Sequence, residues 1–122
     1  SGAAALVSGI ALTLQQAYQQ KFGVVPEAAL IKSVLLNSAD DVGAAGIDFS
    51  SGYGNANAFK AMQTIRSGRV INGSISSNST QAFNITVPDG IKQLKVTLAW
   101  TDPPALPNTG KALLNDLDMV LE

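Results

Sequence analysis

Histidine and cysteine are both absent from the 122 residues. Without cysteine the chain has no disulfide framework and no thiolate metal site. Without histidine it lacks the side chain that titrates nearest neutrality, the usual base beside a hydroxyl nucleophile. Charge is scarce as well. Only 14% of residues are Asp, Glu, Lys or Arg, against about 25% in a typical soluble domain. The eight basic residues are scattered and the net charge is −1, so there is no basic footprint for nucleic acid or an anionic membrane. No apolar run is long enough to span a bilayer. The run Ala3 to Leu14 is too short, and it lacks the basic lead of a secretory leader.

Apolar residues are plentiful, at 46%, which excludes a disordered chain and supplies material for a core. Low charge with high apolar content implies a surface that expects company. The chain begins inside an apolar helical run, with no polar lead-in, and this reads as a cut end.

The first 67 residues carry helical signals. Leu6, Ile10, Leu14, Ala17 and Tyr18 recur at helical spacing. The first half of this segment is apolar on all sides, as in a helix surrounded by protein, and Gly23 is placed to end it. Pro26 and Glu27 open a second helix, with Ile31, Val34 and Leu35 as its apolar stripe. A glycine-rich link, residues 43–54, leads to a third helix near residues 56–65, with Phe59 and Met62 on one side.

From residue 68 the texture changes to β-branched and alternating. Phe83, Ile85 and Val87 mark one strand face, and Leu94, Val96, Leu98 and Trp100 another. Asn78-Ser79 and Pro88-Asp89-Gly90 read as turns, and residues 118–122 as a last strand. Helices followed by strands, with no β-α alternation, predict an α+β chain. Its parts are a helical unit over 1–67 and antiparallel strands of an incomplete β-sandwich over 68–122, with Trp100 in the core between the sheets and an open edge.

Three stretches in the first unit carry a resemblance. Ser1-Gly-Ala-Ala-Ala-Leu-Val-Ser-Gly9 is similar to the nucleophile segment of subtilisin-like serine proteases, Gly-Thr-Ser-x-Ala-x-Pro-x-Val-x-Gly. Aligning Val7 and Gly9 places Ser1 on the nucleophilic serine and Ala3 on the alanine; Ala5 stands where the family has proline. The segment from Pro26 to Ala39 resembles the family's next helix. Ser51-Gly-Tyr-Gly-Asn-Ala-Asn57-Ala resembles the Gly-x-Gly-x-x-Asn-x-x-x-Ala segment that closes its catalytic domain. The segments from Leu94 to Pro104 and from Leu114 to Val120 resemble the jelly-roll-like β-module of the branch of alkaline proteases that carries one.

The resemblance implies a secreted endopeptidase that cleaves protein or peptide substrates through a Ser-His-Asp triad. Ser1 would be the nucleophile at a helix start, where free amides and the helix dipole favour an oxyanion. The acid, the base and the side-chain oxyanion donor come from earlier sequence in the family, so the isolated chain is expected to be inactive. Gly52, Gly54 and Asn57 read as structural: a turn needing positive φ, then a polar residue entering the last helix.

The acidic cluster Asp102, Asn115, Asp116 and Asp118 offers hard oxygen donors suited to Ca²⁺, which takes about 6–8 of them. The resembling branch binds calcium in its β-module, and a complete site is expected to need residues beyond Glu122. An ordinary turn is the alternative for Asp102, which precedes Pro103. Asn-x-Ser/Thr triplets occur at Asn72, Asn78 and Asn84, in a region where such matches arise easily. A second functional class stays open: a non-catalytic extracellular module that binds calcium or a partner. In either case an unpartnered apolar helix and an open edge predict self-association.

Overall fold

The structure is a computed structural model describing residues 1–122. It contains three helices: α1 (Gly2–Phe22), α2 (Ala28–Ser38) and α3 (Ala58–Arg66). Gly23 ends α1 with φ 75°, its amide bonded to the Gln19 carbonyl, a left-handed cap that glycine adopts without steric cost. Glu27 caps the start of α2 one residue after Pro26. Asn57 caps α3 through its side chain, which accepts a hydrogen bond from the Lys60 amide at 2.9 Å.

One small core joins the three helices. Leu14 and Tyr18 of α1 meet Leu30, Ile31 and Val34 of α2 and Ala61 and Ile65 of α3, with Ile10, Ala11, Ala17, Leu35 and Met62 half-buried around them. The inward face of α3 is therefore the Ala61–Ile65 pair, one turn apart, and Met62 is at its margin. Phe59, expected beside Met62, is exposed. The N-terminal half of α1 is not enclosed: Leu6 and Leu12 keep 73% and 68% of their surface in solvent.

Residues 68–122 overturn the expected β-sandwich. They contain no strand and no sheet. Only two backbone hydrogen bonds lie wholly within this stretch, Ser79 to Ser76 and Thr109 to Leu106, and both close turns. Phe83, Ile85, Val87, Leu94, Val96 and Leu98 are exposed, and Trp100 is only half-buried. The reason is physical. Alternation says which side chains would share a face, but a strand exists only where a neighbour satisfies its backbone amides and carbonyls. Here no second layer covers the apolar positions. The chain is all-α with a long non-helical segment, and neither an α+β sandwich nor a jelly-roll module describes it.

That segment is tied to the helices at few points. The Asn72 side-chain amide donates to the Tyr18 hydroxyl at 2.9 Å. The Asn37 amide donates to the Lys95 carbonyl and to Thr97 Oγ1, both at 3.0 Å, and Lys95 Nζ donates to the Leu36 carbonyl at 3.3 Å. The bonds to residues 95 and 97 use the Asn37 side chain as donor and the Leu36 carbonyl, an acceptor left over in the C-terminal turn of α2.

Candidate functional site

Ser1 is the N-cap of α1. Its carbonyl accepts the Ala5 amide at 3.0 Å, the first bond of the helix, while its side chain makes no capping hydrogen bond. The hydroxyl is exposed at the positive end of a 21-residue helix whose first turn holds no acidic residue. The serine and threonine hydroxyls within α1 are spent on their own helix: Ser8 on the Ala4 carbonyl at 2.9 Å and Thr13 on the Gly9 carbonyl at 2.7 Å. The Ser1 hydroxyl makes no such bond. With no histidine in the chain, no imidazole stands beside it.

A second assembly holds the loop between α2 and α3. Asp40 and Asn55 exchange backbone hydrogen bonds at 2.9 and 2.8 Å. The Asp40 carboxylate accepts from the Asn57 side-chain amide at 2.7 Å and pairs with Lys60. Lys60, followed by Asn57, holds this carboxyl below the usual carboxylate range. Further along, Asp48 accepts from the Ser51 hydroxyl at 2.6 Å and from the amides of Ser50 and Ser51, and these bonds lower its pKa likewise. Gly52 and Gly54 adopt φ of 61° and 97°, as the turn reading required. Sequence reasoning anticipated the glycines and Asn57 but missed Asp40 and Lys60. The available signal was the pair Asp40-Asp41 just after the second helix.

The proposed calcium donors are differently placed. Both oxygens of Asp102 are taken: the Leu114 amide donates at 2.7 Å, and the Asn115 amide and side chain donate at 3.1 and 2.6 Å. The Leu114 amide leads in lowering the Asp102 pKa, with Asn115 adding to it. Asp116 faces Lys111 at 3.6 Å, both exposed, and Asp118 is exposed. The structure joins Asp102 to Asn115 and gathers no three acidic side chains into a metal-holding set. The bonds instead close residues 102–115 into a loop around a shallow, open concavity of about 660 Å³ lined by Pro103, Pro104, Leu106 and Leu113. No helix is long and apolar enough to cross a membrane.

Comparison with known proteins gives a family match over residues 1–54 and one relative aligned along nearly the whole chain. Residues 1–54 match the model of the Subtilase family. The "Serine protease/ABC transporter B family protein tagA" of Dictyostelium discoideum is 26% identical over 141 aligned positions, which cover 99% of this chain and 8% of that protein. The chain therefore spans a small share of the curated relative it matches. No solved structure matches. The family match, which takes in α1 and α2, supports a relationship of residues 1–54 to the Subtilase family.

Proposed function

We propose that this chain is the nucleophile-bearing part of a secreted subtilisin-like endopeptidase, with Ser1 attacking the scissile peptide carbonyl. The observation that carries the reading is that Ser1, within the stretch matching the Subtilase family, caps α1 with a hydroxyl that makes no capping hydrogen bond. Free amides in the first turn of α1 and the positive helix end favour the oxyanion that forms on attack. The Gly52–Asn57 turn, held by Asp40 and Lys60, is the scaffold that ties the end of α2 to the start of α3 and does not touch substrate.

The chemistry requires a base and an acid from outside residues 1–122, since a serine hydroxyl is a weak nucleophile until a neighbour takes its proton. The isolated chain is accordingly inactive on this reading. The test is made in the full-length gene product. Ser1→Ala should lower peptide hydrolysis by about 10⁴–10⁶-fold, the size known for removal of triad members in subtilisin, and should abolish labelling by an activated phosphonate. Unchanged hydrolysis or labelling after this substitution would overturn the proposal.

A further inference from the structure

The exposed segment following α3 carries a feature that peptide hydrolysis does not use. Between Arg69 and Asp89 no residue is charged, yet residues 71–88 are all exposed. Ile71, Ile75, Phe83, Ile85 and Val87 each keep 45–54% of their surface in solvent. Polar character in this stretch comes from Asn, Ser, Thr and Gln, and it includes all three Asn-x-Ser/Thr triplets.

The structure separates two of these asparagines, Asn72 and Asn78. Asn72 is occupied, its amide nitrogen donating to the hydroxyl of Tyr18, a residue only 5% exposed. Asn78 is different. It is the third residue of a tight turn closed by the Ser79 amide on the Ser76 carbonyl at 3.2 Å. Its φ of 55° is the left-handed value that this position demands in a type II turn, and asparagine tolerates it better than other side-chain-bearing residues. The bonds of the turn are made by Ser76 and by Ser79, whose hydroxyl reaches the Ser76 amide and carbonyl at 3.1 and 2.6 Å. The Asn78 amide and the Thr80 hydroxyl, the two groups that an acceptor triplet must present, are left to solvent.

We propose that Asn78 is an N-glycan acceptor and that Asn72 is not. The donor is a lipid-linked oligosaccharide diphosphate. Asn78 Nδ2 forms a bond to the sugar C1 and loses a proton; the C1–O bond to the diphosphate breaks, and the polyprenyl diphosphate leaves. The glycan would hydrate a stretch that has apolar surface and no charge of its own. The inference rests on passage through a eukaryotic secretory lumen and is independent of the peptidase reading, because its readout is a sugar and not hydrolysis.

The experiment expresses residues 1–122 behind a cleavable leader in eukaryotic cells, in an Asn84→Gln background that leaves two triplets. Intact mass and gel mobility are read before and after peptide N-glycosidase. One glycan is expected. It should persist in Asn72→Gln, vanish in Asn78→Gln and in Thr80→Val, and return in Thr80→Ser. The Thr80 pair leaves the turn-forming asparagine in place, so loss and rescue there are separable from misfolding. A secreted chain with no glycan, or a glycan that survives Asn78→Gln, overturns the proposal.

Discussion

Gly54 approaches Asp40 so closely that a Cβ on Gly54 would stand 2.0 Å from the Asp40 carbonyl oxygen. The contact is backbone against backbone, at the point where Asp40 and Asn55 exchange hydrogen bonds. With φ at 97°, the position is closed to other residues on conformational grounds as well. Gly54→Ala is therefore expected to cost more than about 1 kcal/mol and to release the 40–55 pairing. Urea denaturation gives the energy, and loss of hydrogen-exchange protection at the Asp40 and Asn55 amides gives the location. Wild-type protection in the variant would contradict the contact.

Asn57 serves two elements at once, capping α3 through Lys60 and donating to Asp40. Asn57→Ala removes both bonds and should destabilise by at least about 1 kcal/mol, the ordinary worth of a cap. Asn57→Asp keeps the cap acceptor but sets a second carboxylate against Asp40, so it should recover only part of the loss. Full recovery would mean that the Asp40 bond contributes nothing.

The same cluster predicts an acid limit. Lys60 and Asn57 lower the Asp40 pKa beneath its ordinary value of 3.8. A carboxyl whose pKa falls on folding adds stability that is fully present above the unfolded value, and it is lost as pH drops through the folded one. The melting temperature of the wild type should thus exceed that of Asp40→Asn near neutrality, and the gap should close as pH falls below about 4. A gap that stays constant with pH would remove Asp40 ionisation from the account.

Leu14 is fully buried at the centre of the three-helix core. Leu14→Ala should cost about 2–5 kcal/mol, through lost transfer energy and a residual cavity. With so few buried residues to share the load, loss of the helical circular-dichroism signal at room temperature is the expected result. A cooperative unfolding transition unchanged in midpoint would place the core elsewhere.

Self-association is the expected solution behaviour. Leu6 and Leu12 are exposed on α1, and Ile47, Phe49 and Phe59 are exposed beyond it. Apolar surface on this scale is seldom left in water. Light scattering of the isolated chain should report species larger than one chain, with size rising with concentration. The double substitution Leu6→Glu with Leu12→Glu should shift the distribution toward the monomer. A wild-type monomer at high concentration would sink the expectation.

What the residues alone determined was local. Gly23 could be read as a helix stop, Gly52 and Gly54 as positive-φ positions and Asn57 as a helix entry, because caps and tight turns are set by a residue and its immediate neighbours. The three helices were legible for the same reason: their hydrogen bonds close within four residues. The proposed Ser1 correspondence rests on the sequence alone, through the spacing of Val7 and Gly9. Tertiary structure decided the rest. Which face of α3 is inward, that of Phe59 or that of Ala61 and Ile65, depends on where α1 and α2 stand. Asp40 found Lys60 across 20 positions, and Asp102 found Leu114 and Asn115 rather than Asp116 and Asp118. The alternating segments beyond residue 68 had the pattern of strands and formed none, because a strand is completed by hydrogen bonds to a neighbour, and no local pattern supplies that neighbour.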